Sequence, residues 1–406
     1  MAADKQDKVL NVPTLRFPEF KGEWNDYRLR DLCTFHSGGT PSIDNVEYWE
    51  GEIPFVSAVA MHNTHIEKTP LTLTEKGLRN GSKQLEAGNL LLLVRGSMLW
   101  NKIPICYNDV DVAFNQDVKG IVPNSKTTSL FLLNWIQSHE NRIKYMVTGT
   151  GIGAGKLDSE DLLALNVKLP SLNEQKKIEK FLSLIDERIE TQIRIINKLQ
   201  SLMKGLNDYL QDSVPLSYSL SFSDIGEDYS GLSGKSAEDF GSGKPYITYV
   251  SIYANNFVED DCCGKVSVKR DEKQNVVQKG DMLFTLSSET PEEVCYGAVY
   301  SGNSTETYLN SFCFGVRNTE GKVFSPYMAY FFNSNRFRRE VYPLAQGSTR
   351  FNLQKSDFLQ KHFSYPSIDD QHSIFKILNA YDNKIKTEQM LLTQYQLQKE
   401  FLLRNH

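Results

Sequence analysis

The feature that most constrains this chain is a long, capped heptad helix that occurs twice. Residues 170–210 open as Pro170-Ser171-Leu172-Asn173-Glu174-Gln175, and 196 positions later residues 366–406 open as Pro366-Ser367-Ile368-Asp369-Asp370-Gln371. In the first copy Ile178, Leu182, Ile185, Ile189, Ile196, Leu199, Met203, Leu206 and Leu210 alternate in steps of four and three, interrupted only at Gln192. Such an a/d seam belongs to a helix that pairs with another helix. Ser171 with Glu174 predicts a capping box, the hydroxyl taking the N3 amide and the carboxylate taking the N-cap amide. The second copy keeps Ser367 with Asp370, then Ile374, Leu378, Tyr381, Ile385, Leu392, Tyr395 and Leu402, weakened at Glu388 and Lys399. Two unrelated amphipathic helices would not share cap, register and spacing.

The repeat extends beyond the helices. Lys279-Gly280-Asp281-Met282-Leu283 matches Ala87-Gly88-Asn89-Leu90-Leu91, and Gly347 to Asp357 aligns without a gap onto Gly151 to Asp161. Ser325 as N-cap and Pro326 at N1 predict a helix through Glu340, aligned with a helical run from Ser129 to Val147 that carries Leu130, Leu133, Ile136 and Ile143 on one side. Residues 53–56, 89–94 and 114–122 read as strands, and 245–250 as a strand matching Pro54 and its neighbours. Residues 61–81 read as loop-rich. A period of 196 residues is too long for a solenoid, so a whole domain is duplicated.

The expected fold is α+β: two similar mixed α/β globular domains joined by two long antiparallel coiled-coil helices, with an internal pseudo-two-fold. The expected boundaries are a flexible tail at 1–14, a first globular domain at 15–169, a first long helix at 170–212, a second domain at 213–365 and a second long helix at 366–406. A helix of this length is about 60 Å long. It hands the chain from one domain to the other, and pairing of the seams requires the second helix to run back.

Composition excludes several classes. Charged residues are 23% and apolar residues 40%, the balance of an ordinary globular chain and not of a disordered one. The start of the chain lacks an apolar run of signal-peptide length. The longest aliphatic run, Leu90 to Val94, is far too short to cross a bilayer. Six cysteines without a C-x-x-C pair suggest neither a zinc cage nor a disulfide framework. A cytoplasmic, reduced protein with no membrane association is expected.

Gly149-Thr150-Gly151-Ile152-Gly153-Ala154-Gly155-Lys156-Leu157 imitates a nucleotide loop. A P-loop needs glycine in place of Thr150 and Ser or Thr in place of Leu157. A dinucleotide loop follows a strand and opens a long helix, whereas here a helix precedes and a short one, 158–165, follows. His62 and His65, with His36 and Cys33 upstream, have no carboxylate or second cysteine in register, so solvated loop histidines are expected and no metal site. No recurrent catalytic spacing or amino-methyltransferase tetrad is present, and a non-catalytic chain is expected.

The most basic stretch is 336–355, where Arg336, Arg338, Arg339, Arg350 and Lys355 outweigh Glu340 for a local net of +4. It adjoins the polar loop Gln346, Ser348, Thr349, Arg350 and Asn352. These residue types bond base edges and phosphates. The matched loop of the first domain offers Thr150 and Lys156. Turn and strand-end positions add Ser37, Thr40, Ser42, Arg95, Ser97 and Lys102 in the first domain, and Lys244 and Tyr246 in the second. Together these are the candidate DNA-binding residues. The net charge of −5 is unlike that of a solitary DNA binder, so local patches or partner subunits must supply positive potential. A coiled-coil adaptor for protein or glycan ligands, and a solitary enzyme on a duplicated scaffold, remain alternatives at this level.

Two globules, each followed by a capped heptad helix, resemble the specificity (S) subunit of type I restriction–modification systems. The resemblance is carried by Leu169 through Ile178, by Tyr365 through Gln371 and by Arg16-Phe17-Pro18-Glu19-Phe20. Gly38-Gly39-Thr40-Pro41-Ser42 and the run from Tyr48 to Val56 add to it. The second copy departs at Asp369-Asp370 and in its less regular seam. The resemblance implies two target-recognition domains on double-stranded DNA, each reading half of a bipartite asymmetric site, with the helices setting the spacer. It also implies two methyltransferase (M) subunits as partners and restriction/translocase (R) subunits that join them. S-adenosylmethionine, ATP and Mg2+ are then expected on those partners and none on this chain.

Overall fold

The computed structural model describes residues 12–150 and 153–405. The expected tail therefore lies mostly outside the described residues, as do Gly151 and Ile152 of the glycine-rich loop. The chain forms two compact units, one comprising residues up to Gln192 together with the stretch from Leu391, the other Ile193–Met390.

In the first unit a five-stranded sheet has the order Cys33–Ser37, Val118–Pro123, Leu90–Leu93, Ile105–Asn108, His65–Ile66. Its neighbours are antiparallel except the last pair, which is parallel. In the second unit Glu227–Ser230, Cys313–Arg317, Met282–Thr285, Gly297–Tyr300 and Phe257–Val258 follow one another in the same way. Again only the last pair is parallel. Each unit also pairs a longer strand in parallel with a short one, Trp49–Val56 with Val112–Phe114 and Phe240–Ile247 with Tyr308–Leu309. The duplication inferred from spacing is thus a duplication of topology. The central strands Leu90–Leu93 and Met282–Thr285 are buried along their whole length, which is why they read as continuous apolar runs.

Local chemistry moves several boundaries. The run 245–250 does not continue as a strand. Thr248 Oγ1 accepts from Ser251 N at 3.1 Å and caps a helix, Tyr249–Ala254. Residues 61–81 hold two short strands and the helix Glu75–Arg79. The helix expected from Ser325 to Glu340 is two helices, Ser325–Phe331 and Asn335–Val341. The first starts one residue early, with Phe324 at the N-cap position and no side-chain cap, and Ser334 caps the second by accepting from Phe337 N at 3.2 Å. The matching run is likewise split, into Ser129–Ser138 and Glu140–Lys144.

The two long helices span Leu172–Ser213 and Ile368–Asn405. Their shared opening has a structural reason. Gln175 is fully buried; its Nε2 donates to Pro170 O at 2.9 Å and its Oε1 accepts from Thr127 Oγ1 and Thr128 N. Gln371, also fully buried, donates to Pro366 O at 3.0 Å and accepts from Phe324 N at 2.8 Å. In both copies one amide locks the start of the long helix to the cap of the globule's own helix. The serine caps are also present, Glu174 N donating to Ser171 Oγ at 3.4 Å and Asp370 N to Ser367 Oγ at 3.1 Å. The return leg expected of Glu174 is diverted. Its carboxylate accepts from Arg16 Nε at 2.7 Å, Arg16 Nη2 at 2.9 Å and Trp24 Nε1 at 3.3 Å, which ties the Arg16-Phe17-Pro18 segment to the helix.

Within the first unit the helices run antiparallel. Lys399 meets Asp186 at 2.6 Å, and Leu402 packs into the core that holds Ile178, Leu182 and Ile185. Within the second, Ile374 and Leu378 pack in one core with Met203, Leu206 and Leu210. Ile196 and Ile385 are buried, whereas Ile189, Leu199, Leu392 and Tyr395 are half-buried. Tyr381 departs from the expected seam: it is 40% exposed, and the half-buried neighbour Asp382 turns inward. The helix must also face its globule here, and Phe375 packs edge-on against Phe324 at 5.3 Å. The first helix divides its surface likewise, Asn207 Nδ2 donating to Tyr330 O at 2.9 Å and Gln211 Oε1 accepting from Tyr327 OH at 2.6 Å. Glu388 and Lys399 are tolerated near the seam because each has an ion partner, Lys384 and Asp186.

Candidate nucleic-acid interface

Each unit carries a small three-stranded sheet at the matched place. In the first it is Thr148–Gly149, Gly155–Lys156 and Arg95–Gly96, with Lys156 opposite both Thr148 and Arg95. In the second it is Ala345–Gln346, Phe351–Leu353 and Ser287–Ser288, with Asn352 opposite both Gln346 and Ser287. The same backbone bonds anchor both, Leu157 N to Val94 O at 2.9 Å and Leu353 N to Leu286 O at 2.8 Å. Val94 N in turn donates to Asp117 O and Leu286 N to Phe312 O, at 2.8 and 2.9 Å. Arg95 therefore corresponds to Ser287, Asp117 to Phe312 and Lys156 to Asn352. The scaffold is repeated while the side chains differ in charge, size and hydrogen-bonding character.

In the second unit Gln346, Ser348, Thr349, Arg350 and Asn352 are all exposed on this sheet and its loop. Gly347 takes φ +131, and a Cβ there would meet Arg350 O at 2.2 Å, so the tight loop needs glycine. Beside it lies a groove of about 380 Å³ lined by Tyr249, Tyr253, Ser287, Glu293, Phe312 and Arg350. Phe312 is 61% exposed and Val250 66%. Tyr253 OH donates to Glu293 Oε1 at 2.6 Å, a bond that holds the phenol proton and pushes its pKa up to about 12. Tyr246 packs at a tilt against Phe240, ring centroids 5.1 Å apart, and lines an adjoining groove that shares Asn310 and Phe312. Lys244 pairs with Glu306 at 2.6 Å.

In the first unit Arg95 lies 3.8 Å from Asp117 and Lys156 3.9 Å from Asp158, both cations about half exposed. Thr150 is held within its loop by a bond to Ala154 O at 2.8 Å. Ser97 is exposed directly after Arg95–Gly96. Ser37 accepts from Lys119 Nζ at 2.6 Å, Thr40 donates to Gln116 Oε1 at 2.8 Å, and Ser42 O accepts from Trp49 Nε1 at 3.1 Å. Lys102 lines a different cleft, against Gln396 and Lys399.

Two expected contacts belong to the scaffold instead. Arg336 donates to Gln211 O at 3.3 Å and Ser364 O at 2.8 Å. Arg338 donates to Cys295 O at 2.9 Å and to Glu292 O and Val294 O at 2.6 Å, and its guanidinium lies 4.8 Å from the Tyr296 ring. Burial pulls the Arg338 pKa down. Both fork groups are thereby occupied by main-chain carbonyls, and the candidate surface loses them. Sequence reasoning in turn missed Tyr249 and Val250, hidden by the strand reading, and Tyr253 and Phe312, which only the fold brings beside Arg350.

In the glycine-rich stretch of the first unit Gly149 pairs with Gly155 in this antiparallel sheet, and the five-residue helix Ser159–Leu163 follows. His65 Nδ1 sits 3.1 Å from the Asp109 carboxylate. Among the described residues no group of three or more His, Cys, Asp or Glu side chains is placed to hold a metal ion, and no helix is long and apolar enough to cross a membrane.

A duplicated mixed α/β scaffold with paired long helices and divergent polar loops is the class this fold defines. The chain belongs to the family of type I restriction modification DNA specificity domains, whose family model matches residues 21–201 and 223–395. A type I restriction enzyme specificity subunit of Escherichia coli is 29% identical over 184 residues, which is 45% of this chain and 45% of that relative. One from Methanocaldococcus jannaschii is 24% identical over 408 residues, spanning 94% of this chain and 91% of its own length. Among solved structures, the S subunit of a type I restriction–modification system from M. genitalium shares the fold over 97% of this chain and 98% of its own, with a TM-score of 0.52 at 15% identity. A chain from a structural study of type I complex assembly and conformational transition gives 0.56 at 12% identity, over 94% and 96%. None of these comparisons supports an adaptor for proteins or glycans.

Proposed function

We propose that this chain is the non-catalytic DNA-reading subunit of a type I restriction–modification complex. Its two recognition domains, residues 15–169 and 213–365, each read one half of a bipartite, asymmetric site on double-stranded DNA. The long helices set the unread spacer between the halves and dock two methyltransferase subunits, which bring S-adenosylmethionine. Restriction subunits that use ATP and Mg2+ join the same assembly.

The observation that carries this reading is the repeated small sheet with unlike side chains. Arg95 and Lys156 on one copy, and Ser287 and Asn352 on the other, present different donors and acceptors from one backbone frame. Base edges in the major groove are distinguished by such patterns. Two readers with the same frame and different side chains suit two different half-sites. An acidic chain also fits an assembly whose other subunits supply positive potential.

Single-molecule methylation mapping in the host, with and without this gene, tests the proposal. The expected result is a bipartite adenine-methylated motif with an unread interior that vanishes when the gene is deleted. An unchanged methylome would refute it.

A further inference from the structure

The helix that leads into each small sheet ends in the same pair of exposed side chains. In the first unit Glu140–Lys144 carries Arg142 and is closed by Tyr145; in the second Asn335–Val341 carries Arg339 and is closed by Tyr342. Both tyrosines retain helical backbone angles, φ −66, ψ −15 and φ −60, ψ −28. Arg and Tyr three positions apart on a helix lie on one face. Each tyrosine is followed three residues later by the first strand of the sheet, at Thr148 and at Ala345.

These four side chains are free for a partner. Tyr145 is 92% exposed and Tyr342 45%, and both arginines are exposed. Among the described residues neither Arg142 nor Arg339 has an ion pair or a side-chain hydrogen bond, unlike the neighbouring Arg336 and Arg338. Positions on the sheets themselves differ between the units, as reading two sequences requires. The Arg-x-x-Tyr pair is the same in both, so it suits a target feature that both half-sites share. That feature is the sugar–phosphate backbone, which Arg and Tyr both contact and which carries no sequence information.

We propose that Arg142 with Tyr145, and Arg339 with Tyr342, are two matched backbone clamps. In each, the guanidinium and the phenol hydroxyl bond phosphates beside the half-site and fix how the adjacent sheet meets the bases. This rests on the DNA-reading function proposed above.

The test uses the complex with its methyltransferase subunits and the double variants Arg142→Ala/Tyr145→Ala and Arg339→Ala/Tyr342→Ala. All four side chains are exposed, so the melting temperature is expected to stay unchanged. Each double variant is expected to lose about five- to tenfold in affinity, equally on a cognate duplex and on one with a scrambled half-site, with the methylated sequence unchanged. The slope of log affinity against log salt is expected to fall by about one per clamp. Replacing single phosphates by neutral methylphosphonates should weaken the wild-type complex at linkages where the double variant no longer responds. Undiminished affinity, or a changed methylated sequence, would overturn the clamps. A wild-type complex that binds no sequence selectively would instead overturn the DNA-reading function and the clamps with it.

Discussion

Replacing Arg16 by alanine is expected to destabilise the first unit by about 3–5 kcal/mol, the cost of leaving one member of a buried pair without its partner. Glu174 is 2% exposed, and its carboxylate is held by Nε and Nη2 of Arg16 and by Trp24. The bond to Glu174 also holds the arginine pKa above its usual value. Without Arg16, the Trp24 indole and the helix N-terminus remain among the described residues to stabilise the charge. The same residue orders its segment: Arg16 Nη1 reaches Gly22 O at 2.5 Å, and Phe17 meets Phe181 edge-on at 5.8 Å. Arg16→Lys keeps the charge but loses the two-pronged fit, so a smaller loss is expected. Urea unfolding followed by a probe in each unit reads the effect. Only the transition of the first unit should move. A loss below about 1 kcal/mol would show that Glu174 is solvated or held by other groups.

Inserting four residues into each long helix, between Gln192 and Ile193 and between Met390 and Leu391, is expected to lengthen the unread spacer by about two base pairs. Four residues add about 6 Å of helix and just over one turn, so the seam returns nearly to register. A base pair rises about 3.4 Å. The insertion points lie at the boundary between the compact units, so the core of each stays intact. Both half-sites should keep their sequences, because the sheets that carry Lys156 and Asn352 are untouched. Methylation mapping of the variant reads the spacer directly. An unchanged spacer, or altered half-sites, would contradict the role assigned to the helices.

The long helices were legible because their signals are local. Heptad spacing, Ser171 and Ser367 as caps, and the two glutamines all lie within a few residues of what they determine. The duplication was legible because the spacing repeats. What escaped was set by partners distant in sequence. Arg336 and Arg338 look like binding residues until Ser364 and the turn around Glu292, Val294 and Cys295 are seen to receive them. Tyr381 satisfies the heptad count, yet the helix turns Asp382 inward because it must face a globule as well as a helix. The groove between Tyr253, Glu293, Phe312 and Arg350 is assembled from four separate stretches. Two misses did have local signals. Thr248 three residues before Ser251, and Ser334 inside an apolar helical run, are each the type of residue that starts a helix.

The proposed function requires above all that the two recognition domains read their half-sites independently. Exchanging residues 16–150 for the corresponding region of a relative with a known target, then mapping adenine methylation in the host, tests it most directly. The expected result is a hybrid motif in which one half changes to the donor's sequence and the other half is retained. A motif in which both halves change, or neither does, would contradict it.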